Sequence, residues 1–246
     1  MQAAATAQSR LLGLQSIDTA IAQLEHRRRS LPELARIAEK QQVRRRQGEQ
    51  LIAANTVVSD LEGDVAKAEA DLVPVRQRLE RDQQRVNSGA VTDPKQLNAL
   101  LDEIQHLRRR ISDLEDVELE LMERLEEATA GRDEIVAARG EGETELRALL
   151  AIRDEQFAEL DAELAQRAAE RAAAASEIPG ELIELYDRIR AKSGTGAAAL
   201  VRRRCSGCQL EATAADLNRY RIAPPDEVLR CEECNRILVR TAESGL

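Results

Sequence analysis

Four cysteines are the residues of this 246-residue chain best equipped for chemistry. They are its only cysteines and form two pairs, Cys205-Ser-Gly-Cys208 and Cys231-Glu-Glu-Cys234, with 22 residues between them. A Cys-x-x-Cys turn sets two thiolates on one side of a tight knuckle. Two knuckles complete a tetrahedral sulfur cage about 2.3 Å from a zinc ion. All four positions are then protein sulfur and none stays open for water or substrate, so the spacing predicts one structural Zn²⁺. Two disulfides would need an oxidising compartment. A thioredoxin-like redox pair would need a βαβ context. Iron also accepts a tetrahedral thiolate cage, but softness and geometry favour zinc.

Aromatic residues make up 1% of the chain and charged residues 33%. One broad aromatic core is therefore not expected, and the Ala, Leu, Glu, Arg and Gln content indicates long helices or coiled coil. Net charge is -9, against a nucleic-acid-coating protein. No run of apolar residues is long enough to span a membrane. The first residues, Met1 to Leu14, lack the pattern of a signal peptide. With four reduced cysteines, the expected location is the cytoplasm. His26 and His106 lie on different parts of the helical arms, and no phosphate loop or nucleophile motif occurs, so no enzyme activity is expected.

Helical periodicity begins near Ser9. Val58, Leu61, Val65, Ala68, Leu72, Val75 and Leu79 alternate steps of three and four, the spacing of a coiled-coil seam. Ser30-Leu-Pro-Glu33 has the form of a capping box, predicting a break there. Pro74 predicts a kink rather than an end, because the seam keeps its phase across it. Asn87 to Pro94 reads as a turn, after which Leu97, Leu100, Ile104, Leu107, Ile111 and Leu114 start a second long helix. The arms are about equal, which predicts a hairpin roughly 120 Å long with a fixed pairing rule, residue i facing about 181 minus i. Charge agrees: Gln8 to Asn87 carries 14 Lys/Arg against 12 acids, and Ile111 to Glu177 carries 7 against 20. Gly48, Gly131, Gly140 and Gly142 predict a flexible or broken zone, and Ser193-Gly-Thr-Gly196 a hinge. The expected fold is mostly α: an antiparallel coiled-coil hairpin over 1–192 with its tip near 87–94, then a C4 zinc ribbon over 193–246. In the ribbon, short strands flank the second knuckle, a short helix covers Thr213 to Arg221, and Asn235 suits a left-handed conformation.

The chain resembles the bacterial C4-type zinc-ribbon family whose members carry a long N-terminal helical hairpin. The likeness rests on Cys205-x-Gly207-Cys208 with Leu210, on Cys231-x-x-Cys234-x-Arg236-Ile237-Leu238, and on the tip sequence Val91-Thr-Asp-Pro-Lys95-Gln-Leu97. Asn235 stands where the family often has glycine. The resemblance implies a non-enzymatic adaptor; members are linked to nucleic-acid binding and to chaperone-like handling of transcription or secretion components.

Candidate contact residues are Arg202, Arg203 and Arg204, which lead into the first knuckle, with Arg236 and, at the tip, Lys95. The triplets Arg27 to Arg29, Arg44 to Arg46 and Arg108 to Arg110 fit a solvated helix face. Ala197 to Leu246 has 8 arginines against 7 acids. Four thiolates and Zn²⁺ add about -2. Tyr220 is the one aromatic there, a poor platform for base stacking. A protein partner is thus the first expectation, with DNA or RNA as the alternative, and neither a membrane nor a small-molecule substrate is expected.

Overall fold

A computed structural model describes all residues from Met1 to Leu246. The element order is α1 (Ala5–Arg29), α2 (Pro32–Asn87), α3 (Pro94–Ser176), α4 (Gly180–Ser193), β1 (Ala197–Val201), β2 (Arg204–Cys205), α5 (Ala214–Ile222), β3 (Leu229–Arg230) and β4 (Ile237–Arg240). The chain divides into two compact units, Met1–Leu34 with Ala151–Leu246, and Ala35–Leu150. No helix is long and apolar enough to cross a membrane.

The unit Ala35–Leu150 is an antiparallel pair of helical arms. Val58, Leu61 and Leu72 of α2 and Ile104 and Leu107 of α3 are buried, as the three-and-four spacing requires. Helix α2 passes through Pro74 without ending. At the turn, Asp93 Oδ1 accepts from the Lys95 N–H at 3.0 Å, and Pro94 opens α3, where a missing N–H costs nothing.

Four expectations fail. The glycine zone is not broken: α2 runs through Gly48 and α3 through Gly131, Gly140 and Gly142, with Lys40 paired to Glu145 and Arg44 to Glu143 at 3.2 Å across it. Its glycines lower helix propensity without interrupting the hydrogen-bond ladder. The break expected at Ser30 is present, between Arg29 and Pro32, but Ser30 forms no capping box: it ends α1, its Oγ donating to the His26 carbonyl at 2.9 Å. The fixed pairing rule holds at Arg78 and Glu103, 2.8 Å apart. Further along, Lys40 faces Glu145 and Asp18 faces Arg171, about one and about two helical turns beyond a constant register. Arg44 to Glu143 and Arg76 to Glu115 also depart from it, so the drift is already present on the turn side of the break at Ser30 and Leu31. Phe157 lies under Arg28, 4.5 Å from its guanidinium. The fourth failure is the hinge, because the Gly196 N–H is held by Gln15 Oε1 of α1 at 2.7 Å.

In the unit carrying the ribbon, a four-stranded sheet has the order β2-β1-β4-β3, with β1 and β4 parallel and the other pairs antiparallel. Successive residues point to opposite faces. Ala197, Ile237 and Val239 join Leu11, Leu14, Leu182 and Tyr186 on the helical side. Ala198, Leu200 and Leu238 join Tyr220, Leu229 and two of the cysteines on the other. One small sheet thus serves two cores, and its central strands β1 and β4 both contribute to each.

Candidate metal centre

Each Cys-x-x-Cys pair sits in the same backbone knuckle. The Gln209 N–H donates to the Cys205 carbonyl at 2.8 Å, and the Asn235 N–H donates to the Cys231 carbonyl at 2.8 Å. Cys205 N–H reaches the Leu210 carbonyl and Cys231 N–H the Arg236 carbonyl, both at 3.0 Å. The residue after each second cysteine is left-handed, Gln209 at φ 64° and Asn235 at φ 61°. Asparagine tolerates that conformation; glutamine does so less readily, and sequence reasoning missed it. Gly207 fits because a Cβ there would lie 2.8 Å from Arg236 Cδ and 3.0 Å from Ala198 Cβ.

The four Sγ atoms lie within 4.8 Å of one another. Cys205 to Cys234 and Cys208 to Cys231 are both 3.8 Å. A tetrahedron with ~2.3 Å metal–sulfur bonds has edges of ~3.8 Å, so the cage fits one zinc ion. Burial pushes the Cys205 thiol up and the Cys231 thiol up to about 12. At Cys234 burial acts the same way. Hydrogen bonds from the Arg236 backbone and side chain and from neighbouring thiols outweigh it and bring this thiol down to about 7. A divalent cation offsets the cost of buried thiolate by displacing the protons.

Arg202 and Arg203 form the two-residue loop between β1 and β2, at φ 46° and 65°. Two positive φ values make a hairpin turn usually filled by Asn and Gly. Their N–H groups are held by the carbonyls of Glu243 at 2.7 Å and Ser244 at 2.9 Å, while both side chains stay exposed. Arg204 lies 3.6 Å from Glu211. Arg236 turns inward, donating to Thr195 Oγ1 and, at 3.3 Å, to the Ser193 carbonyl. Lys95 is exposed at the turn between α2 and α3, far along the chain from these arginines. The structure therefore groups Arg202 to Arg204 beside the first knuckle and gives Arg236 an internal role.

A buried ion network escaped sequence reasoning. Asp18, 1% exposed, accepts from Arg171 at 2.7 Å and from the Tyr186 hydroxyl at 2.7 Å, with Arg190 at 3.2 Å. Gln15 Oε1 accepts from the Gly196 N–H at 2.7 Å and lies 3.1 Å from the Tyr186 hydroxyl, whose proton goes to Asp18. A Cβ on Gly196 would lie 2.5 Å from the Tyr186 ring. The supposed hinge is pinned to α1 and α4, since its glycine answers close approach rather than freedom. The only sequence signal was one aspartate among the apolar positions of α1. Arg240 acts similarly on the ribbon: its guanidinium donates to the carbonyls of Tyr220 at 3.2 Å and Ala223 at 2.8 Å, capping α5.

Residues 14–194 match the model of the CT398-like coiled coil hairpin domain, and residues 204–238 match that of the C4-type zinc ribbon domain. This chain belongs to the CT398-like family. One relative, an uncharacterized protein of Mycobacterium tuberculosis, is 35% identical over 240 residues, covering 98% of each chain. A solved structure from Mycobacterium smegmatis shares 36% identity at a TM-score of 0.86, covering 98% of this chain and 100% of that one. The structure of CT398 from Chlamydia trachomatis aligns at a TM-score of 0.73 and 18% identity, over 96% of this chain and 98% of that one, and shows the common fold. The expected family, a bacterial C4 zinc ribbon with a long N-terminal helical hairpin, is thereby shown, as are the mostly helical fold and a ribbon whose four cysteines could bind one structural zinc. Neither matched family is an enzyme family.

Proposed function

We propose that this protein is a non-enzymatic adaptor that works in the cytoplasm and binds a protein partner through its ribbon and its helical hairpin. Cys205, Cys208, Cys231 and Cys234 ligate one zinc ion that folds the ribbon over 193–246 and performs no chemistry. The supporting observation is the closed cage: four sulfurs fill a tetrahedral site, leaving the domain's outer surface as its working part. The test is affinity capture with the full chain from lysate, with and without nuclease. Partners retained after nuclease support the adaptor; complete loss of partners rejects it.

One observation favours a second function, nucleic-acid binding. The strained Arg202-Arg203 turn holds two exposed guanidinium groups beside the first knuckle, and strained backbone collects at functional sites. Phosphate contacts at these arginines would make affinity fall steeply with salt. Replacing Arg202→Asn and Arg203→Gly would then reduce that slope by about two contacts. A salt-independent affinity, unchanged in this variant, rejects the nucleic-acid function.

A further inference from the structure

A two-helix coil needs one apolar seam on each arm. Helix α3 has more. Besides the seam residues Leu114, Leu121 and Leu125, it carries a second stripe at Leu119, Met122, Thr129 and Val136. With Glu126 and Asp133 included, the steps alternate three and four. Leu119 is 58% exposed, Met122 49% and Val136 49%. Leu119 and Met122, with Val65 of α2 and Leu125, line an open groove of about 670 Å³. Large apolar side chains gathered in this way mark interaction surfaces, and methionine adapts to varied partners.

Charge says what kind of partner fits. Asp113 to Glu134 holds ten carboxylates against Arg124 and Arg132, and Asp60 to Asp71 of α2 holds five against Lys67. Of these only Glu115 and Asp133 are in ion pairs, with Arg76 and Arg132. Glu123, Glu126 and Asp133 stand on the groove itself. Like charge here would repel a second groove of the same kind, so a symmetric pairing of two copies across it is disfavoured.

We propose that this groove docks a basic amphipathic helix of a protein partner, making a third strand of the coil. The partner presents apolar residues at steps of three and four, flanked by Lys or Arg. From Leu119 to Asp133 the groove runs about 21 Å, the length of a partner helix of about four turns. The proposal rests on the adaptor function above and names its partner's chemistry.

The test uses the full chain and a labelled 18-residue peptide with Leu at those steps and Lys on both flanks. Binding is expected, and Leu119→Glu with Met122→Glu should weaken it about tenfold or more. Glu123→Lys with Glu126→Lys should weaken it comparably and leave helicity unchanged, which guards against a folding artefact. A peptide of the same composition with the Leu positions scrambled should bind far less. Equal binding of the scrambled peptide, or of either variant, overturns the proposal. So does self-association of the chain that Leu119→Glu with Met122→Glu abolishes, because a second copy then covers the groove. Loss of the peptide site with lysate capture intact rejects the groove alone, whereas failed capture by the wild-type chain rejects the adaptor.

Discussion

The two compact units hold themselves together by different means. The ribbon-bearing unit carries the chain's four cysteines, both its tyrosines and the Asp18 network, and it buries side chains in two adjoining clusters. The hairpin unit has one narrow seam of aliphatic residues and exposed ion pairs such as Arg76 to Glu115 at 2.7 Å. Exposed pairs contribute little, so a seam repeated along its length must supply most of the hairpin's stability. Few positions in the hairpin are individually decisive, whereas several in the ribbon-bearing unit are.

Metal removal should break this contrast most visibly. Zinc at such sites contributes of order 10 kcal/mol apparent. Chelation, or Cys205→Ser, is expected to unfold residues 197–246 and leave the hairpin's helices in place. Hydrogen exchange should show lost amide protection in the ribbon and unchanged protection over Ala35–Leu150; protected ribbon amides in metal-free protein would contradict it.

Asp18→Ala comes next. It strands Arg171 and Arg190 and frees the Tyr186 hydroxyl, and removing one member of a buried pair costs about 3–5 kcal/mol. The unfolding free energy from urea titration should drop by that amount, while an exposed partner removed from the hairpin, as in Glu115→Ala, should change it by less than about 1 kcal/mol.

Glycine substitutions sharpen the contrast in sign. Gly196→Ala drives a methyl into the Tyr186 ring and should cost about 1–3 kcal/mol. Gly131→Ala, with nothing within 4 Å of the added carbon, should stabilise α3 by about 1 kcal/mol. Thermal melts of the two variants should move in opposite directions.

The smallest effects are on pH dependence. Burial, then the bond to Asp18, raises the Tyr186 hydroxyl above its ordinary value. A raised folded-state value means stability present below about pH 10 and lost as pH rises beyond it. The hydrogen bond from Lys40 holds Glu145 below the usual carboxylate range, so its contribution is present above about pH 4.3 and lost as pH falls further. Alkaline urea titrations of wild type and Tyr186→Phe should differ in slope. Acid titrations of wild type and Glu145→Gln should nearly coincide, because Glu145 is exposed.

Much of the fold was legible because its causes are local. Two Cys-x-x-Cys turns carry their ligand geometry within four residues each, Asp93-Pro94 carries its own helix start, and Asn235 its own left-handed turn. The seam of α2 is a pattern any window of the chain displays. The candidate contacts were less legible. Arg202 to Arg204 and Arg236 look alike as letters, yet the former stay on the surface while Arg236 bonds Thr195.

By itself, then, the sequence determined a doubled helical coil and a four-thiol ribbon, because periodicity and short-range spacing specify both. Only the tertiary structure decided the drifting register of the arms, the pinning of Gly196 and the burial of Asp18 beneath three partners. Those depend on groups up to 181 residues apart, such as Gln15 and Gly196. Their energies come from desolvation and close approach, which no stretch of chain possesses until the rest has folded against it.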